Sequence, residues 1–175
     1  MEKAQLKLSG KDYDDIQQHL FANRACEEAA FVFCSDELEG DVLALVPKEL
    51  WLLPPAAFQS RSEVYLELTD ETRAKLIKRA HDLEACLVEI HSHPRQIDAE
   101  FSWSDLSGFE TFVPHIRWRL RGRPYVAIVF SSTSFDSLVW IGAKSPVGVC
   151  SIEAGGNRKP PTGASFLRME KAIDG

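Results

Sequence analysis

The chain has 175 residues, 45% of them hydrophobic, which suits one globular domain that buries its core without a disulfide framework. Its 20 Lys and Arg against 26 Asp and Glu give a formal charge of -6, the wrong sign for a protein that lives on phosphate backbones, so nucleic acid is not an expected partner. The four cysteines, Cys26, Cys34, Cys86 and Cys150, make no C-x-x-C pair, MEKAQLKLSGKDYDD carries no signal-peptide run, and no apolar stretch is long enough for a bilayer; free thiols, no membrane and a cytoplasmic location are expected.

Ser9 can cap a helix from about Gly10, with Ile16, Leu20 and Phe21 at helical spacing until Asn23 and Arg24 break it. Ala29 to Cys34 is a compact apolar run that predicts a central strand, and SDELEGD after it predicts a turn. Asp41 to Trp51 and Glu63 to Leu68 read as neighbouring strands, separated by an irregular loop over Pro54-Pro55 and Gln59 to Ser62. Thr69 can cap a second helix carrying Leu76, Ile77, Ala80 and Leu83 on one face, with Asp70 and Glu71 in its first turn. Ala85 to Ile90 is a strand that runs directly into HSHP. Ser102 or Ser104 can cap a third helix bearing Leu106, Phe109, Phe112 and Val113, which Pro114 should end or kink. Tyr125 to Phe130 and Ser137 to Ile141 are further strands. From Gly155, GGNRKPPTGAS has too little apolar surface to offset its ordering entropy and predicts a flexible tail over 155–175, whose SFLRMEKAI stretch can form a short helix. The expected architecture is a single layered α/β (α+β) domain over 1–154, a mixed sheet flanked by helices.

His91 and His93 stand two apart at a strand end, and a strand's period of two sends both imidazoles to one face, where they can chelate an ion. Asp105, in the first helical turn beyond, can supply an anionic third ligand. Three protein donors leave the fourth position of a tetrahedral zinc open, the arrangement of a catalytic site. Such hydrolysis needs a carboxylate to move the proton of a water, and Glu27 and Glu28, just ahead of the central strand, are the candidates. Only one of the two can face inward. Ser102 offers a hydroxyl for an oxyanion. His19, His81 and His115 read as surface or packing residues, and Cys86 as a buried inert thiol. The alternation in Arg117-Trp118-Arg119-Leu120-Arg121-Gly122-Arg123 reads as an exposed-face strand.

EEAAFVFC, HSHP at His91 to Pro94 and SWSD at Ser102 to Asp105 together resemble the signature of the JAMM/MPN zinc metalloprotease family, a resemblance spanning about Glu27 to Trp140. It implies a JAMM/MPN-like sheet flanked by helices, and Zn2+ held by His91, His93 and Asp105. It also implies peptidase or isopeptidase activity at the C-terminus of a ubiquitin-like protein. FSWSDL, VPHIRWRLRGRPYVAIVF and FDSLVW look closest to bacterial members that accompany activating and conjugating enzymes for such proteins. The loop PRQIDAEF is one residue longer than the usual family spacing. The glutamate stays open between Glu27, which the A-A-F run of bacterial relatives favours slightly, and Glu28. Two other readings are a ligand-poor MPN scaffold, against which the complete ligand set argues, and a hydrolase of a sulfur-carrier conjugate or other small amide or peptide.

Overall fold

The computed structural model describes residues 1–174. In chain order it runs β1 (Glu2–Leu8), α1 (Gly10–Phe21), β2 (Ala29–Glu39), β3 (Val42–Leu52), β4 (Phe58–Ser62), β5 (Tyr65–Leu68), α2 (Asp70–Asp82), β6 (Cys86–Ser92), α3 (Trp103–Arg119), β7 (Tyr125–Phe130), β8 (Phe135–Trp140), β9 (Val149–Ala154), β10 (Asn157–Lys159) and α4 (Ala164–Asp174). Eight strands form one mixed sheet in the order β10-β9-β1-β3-β2-β6-β7-β8, and β4 with β5 makes a separate hairpin. The sheet curls until Val139 on β8 exchanges hydrogen bonds with Gly148 and Val147 just before β9. Gly148 also lets the backbone of Met1 lie close against it, since a Cβ there would collide with the Met1 carbonyl oxygen. The expected mixed sheet with flanking helices is therefore the architecture found.

The central strands are apolar on both faces because both faces are covered. Along β2, Ala29, Phe31 and Phe33 enter one core layer while Ala30, Val32 and Cys34 enter the other. The first layer lies under α2, α3 and α4, through Leu76 and Ala80, Leu106, Phe109, Val113 and Ile116, and Phe166. The second lies under α1, through Ile16 and Leu20. On β6 the same parity puts Leu87 in the first layer and Cys86, Val88 and Ile90 in the second, which assigns His91 to the side of α3.

Several expectations are corrected. SDELEGD is not a turn: β2 continues to Glu39 and the reversal is confined to Gly40 and Asp41, with Gly40 at φ 64. Such a tight reversal favours glycine, which alone adopts positive φ freely. The loop over Pro54 to Ser62 contains a single 3-10 turn and then β4, paired with β5. Pro114 does not end α3, which runs on to Arg119. The Arg117 to Arg123 run is consequently the last helical turn and the loop after it, where Arg117 and Arg119 complement the helix's negative end. The segment from Gly155 is not a tail over the described residues. Arg158 and its neighbours pair with β9 as β10, and α4 buries Phe166 to 9% exposure, so residues 155–174 belong to the domain. Composition misses this because the partners that order the segment are far away in sequence. Gly175 lies outside the described residues. No helix among them is long and apolar enough to cross a membrane.

Candidate metal site

β6 is held between β2, antiparallel, and β7, parallel, and delivers His91 at its end. His93 follows one residue beyond the strand, fixed by its own N–H donating to Phe130 O at 2.8 Å. Both imidazoles point to the α3 side, with Nε2 atoms 3.3 Å apart and the residues 2% and 5% exposed. The register of β2 on β6 pairs Ala29 with His91, and its continuation sets Glu27 opposite His93. Accordingly Glu27 Oε1 is 3.5 Å from His93 Nε2. Glu27, His91 and His93 present ligand atoms that all lie within 4.8 Å of one another, a buried group that could hold a metal ion.

Asp105 closes the group from α3. Its carboxylate oxygens stand 3.5 Å from His91 Nε2 and 3.2 Å from His93 Nε2. It is the third residue of the helix, and with Ser102 as N-cap it forms a reciprocal capping box. Ser102 N and Ser102 Oγ both donate to Asp105 Oδ2 at 2.7 Å, while Asp105 N donates to Ser102 Oγ at 3.1 Å. Ser104, the other expected cap, lies inside the helix. The single hydroxyl proton of Ser102 is thus committed to Asp105, and service to an oxyanion would require that bond to open. Asp98, in the loop before Ser102, is exposed.

Glu28 goes elsewhere. One residue on, it faces the opposite way and pairs with Arg61 from β4, with His19 at 4.0 Å and Cys26 Sγ at 3.9 Å. Of the two expected carboxylates it is thus the one not brought to His91 and His93, since it pairs with a guanidinium instead. Backbone bonds enforce the parting, since Glu28 N donates to Ser92 Oγ at 3.0 Å and Glu27 N donates to Ser62 O at 2.7 Å.

The electrostatics separate the two carboxylates at the histidines. Burial raises the Asp105 carboxyl, but His91, His93 and Ser102 outweigh that and hold it well below the usual carboxylate range. Burial also raises Glu27, and there the histidines only partly offset it. His91 is lowered by burial but carried up to about 9 by Asp105, Glu27 and Glu89. One carboxylate is therefore kept ionised and the other is made a better proton acceptor, the divergence expected of groups with different roles in one site.

The donors also fit an ion sterically. Around a tetrahedral ion with bonds of about 2.0–2.1 Å, neighbouring donors stand roughly 3.3–3.4 Å apart. The imidazole–imidazole and imidazole–carboxylate separations of 3.2 to 3.5 Å straddle that spacing. With both imidazoles neutral, Asp105 brings one negative charge to the group and Glu27 a second beside it, which suits a cation. Beneath them Glu89, on the same strand face as His91, lies 3.7 Å from His91 Nδ1 and accepts a hydrogen bond from the buried hydroxyl of Tyr125. Sequence reasoning missed Glu89, although its place two residues before His91 puts it on the same face.

Beside His91 a cavity of about 270 Å³ opens between β5 and α3, with apolar walls from Phe31, Leu66, Phe109 and Phe112 and with Glu67, Arg73, Glu89 and Asp105 as charged members. The hairpin forming its outer wall is tied down by the Arg61–Glu28 pair and by Arg95 to Glu63 at 2.5 Å. Of the remaining candidates, His81 and His115 are exposed, and His19 Nε2 lies 3.0 Å from Ala29 O. Cys86 is buried with its thiol directed at Cys34 O. No protein-family model matches the chain, and no curated protein matches it.

Proposed function

We propose that the chain is a zinc-dependent peptidase of the JAMM type, with His91, His93 and Asp105 as the metal ligands and Glu27 as the general base. The observation that carries the reading is the meeting of both Nε2 atoms with the carboxylates of Asp105 and the buried Glu27, in a group whose His91 and Asp105 line an adjoining cavity. Two imidazoles and one carboxylate are the donor set of a hydrolytic zinc site, and Zn2+ bound there would supply a Lewis acid and lower the pKa of a water to roughly 7.

The residues' own parts follow from their places. Asp105 stays ionised because Ser102 and the histidines compensate it. Glu27 Oε1 takes the proton of the attacking water and returns it to the leaving nitrogen, work for which a raised carboxylate pKa is suited. The ring of Phe101, 5.8 Å from that of His91, shields one side of the imidazole from water.

For substrate we infer an amide at the C-terminal tail of a ubiquitin-like protein, either a linear peptide or an isopeptide conjugate. An extended tail can add a strand to the hairpin along β5, which among the described residues pairs only with β4, whereas β4 is also bonded to Glu27 N through Ser62 O. Incubation of the zinc-loaded protein with a ubiquitin-like fusion tests the reading. Cleavage is expected, and it should vanish with a chelator and in His93→Ala. Cleavage that persists in His93→Ala sinks the mechanism, and zinc uptake without cleavage of any tail substrate redirects the search to sulfur-carrier conjugates and small amides.

A further inference from the structure

Asp105 is carried on the first turn of α3, and what fixes that turn from outside is the C-terminal segment. Thr162 Oγ1 donates to Ala99 O at 2.9 Å, Phe101 N donates to Ser165 Oγ at 2.8 Å, and Arg168 Nη2 donates to Phe101 O at 2.6 Å. Arg168 also reaches Glu100 at 3.2 Å and lies over the Trp103 ring, 4.6 Å from its centroid. Every residue from Ala99 to Trp103 except Ser102 is thus held by residues 162–168, and Ser102 is the cap that orients Asp105.

The clamp is itself seated on a buried carboxylate. Asp136 on β8 is 0% exposed and accepts from Gly163 N at 3.0 Å and Ser165 N at 2.9 Å, serving the start of α4 as a cap supplied from another element. Phe166 then enters the core that contains Phe101 and Phe109. A chain of contacts therefore runs from Asp136 through α4 to Phe101, which touches His91, and to Ser102, which holds Asp105.

We propose that Arg168 and Ser165 are positioning residues of the metal site, so that α4 sets the placement of Asp105 and with it the affinity for the ion. The inference rests on the reading of Asp105 as a ligand. Residues outside the ligand set that orient ligands change metal affinity about tenfold to a hundredfold when removed. Arg168 acts through Phe101 and Ser102, which places it at the lower end of that range.

The test uses the full chain with Arg168→Ala, Arg168→Lys and Ser165→Ala. Zinc affinity is measured by competition with a chromogenic chelator, and site geometry by the visible absorption of the cobalt-substituted protein. Arg168→Ala should bind zinc about tenfold more weakly with an altered cobalt spectrum, while thermal unfolding of the metal-free protein stays close to wild type. Arg168→Lys, which keeps a donor for Phe101 O, should recover part of the affinity and of the spectrum. If Arg168→Ala fails to fold, Ser165→Ala carries the same expectation through the loss of one acceptor. Folded variants with wild-type affinity and spectrum overturn the inference and leave the metal site standing. Wild-type protein that takes up no zinc overturns the metal site, and the inference with it.

Discussion

Glu27 and Glu28 are the same residue one position apart, both buried at 2% and 7% exposure, and they meet opposite environments. Around Glu28 stand Arg61, His19 and Cys26, and the guanidinium neutralises the carboxylate. Around Glu27 stand His93, His91 and Asp105, with no Lys or Arg among its ion-pair partners, and its carboxyl is raised by burial. A buried carboxylate is costly unless paired, so the first neighbourhood is a structural tie between β4 and the lead into β2, and the second sets two carboxylates against two imidazoles. That difference in surroundings separates the glutamate proposed as general base from the one that holds the hairpin down.

Exchanging the two glutamates, one at a time, for their amides gives the sharpest contrast. Glu27→Gln should keep zinc and lower kcat by about a hundredfold to ten-thousandfold, the usual contribution of a general base, as read in steady-state cleavage of a tail fusion. Glu28→Gln should leave kcat within a few-fold of wild type, and an equal loss in both variants would erase the distinction.

The pH dependence of zinc uptake comes next in size. His91, at about 9 in the metal-free protein, must lose its proton before Nε2 can bind an ion. Zinc affinity should therefore climb roughly tenfold per pH unit up to about 9 and level off above it, as titrated by calorimetry with proton release followed in buffers of different ionisation heat. The sign for stability is the reverse. A raised histidine stabilises the metal-free fold fully below about 6.5, and that contribution is lost as pH rises through about 9. Affinity that is flat across this range would mean that His91 either carries no proton there or is not a ligand.

The neighbourhoods differ in how far the amino-acid order discloses them. HSHP is legible because a strand's period of two commits both histidines to one face, and S-x-x-D because a capping box needs a donor-acceptor pair at that spacing. The choice between Glu27 and Glu28 is not legible, since parity becomes meaningful only once β2 is in register with β6, and Ala29 opposite His91 is a tertiary fact. β1 carries the alternation Ala4, Leu6, Leu8, yet what makes it a strand is the parallel pairing with β3 and β9, elements distant in sequence. The C-terminal segment is the extreme case. Its composition resembles a tail because Asp136 and Phe101, whose side chain and backbone order it, lie 29 and 64 positions away from Ser165.

Truncating Glu28 altogether probes the structural side. Glu28→Ala leaves Arg61 without its counter-ion at a site where the two side chains are only 17% and 9% exposed, and should cost about 2–3 kcal/mol in urea unfolding. Arg61→Met in the same background should return part of that loss, because an apolar side chain over Phe58 needs no counter-ion. If the double variant is no more stable than Glu28→Ala, the pair is not what secures the hairpin.

The smallest effect separates compensation from ligation at Asp105. Ser102→Ala removes the Oγ partner of both Asp105 Oδ2 and Asp105 N, while the Ser102 backbone N–H still donates to the carboxylate. Loss of the cap should cost about 1 kcal/mol, and zinc affinity should fall roughly tenfold because a freed carboxylate rotates away from the histidines. Ser102→Thr, which keeps a hydroxyl able to cap, should restore both. If Ser102→Ala instead leaves zinc affinity intact and lowers kcat alone, the hydroxyl serves the reacting oxyanion rather than Asp105. Glu27 would then share its chemistry with the cap, and the capping box would be a resting arrangement that opens during turnover.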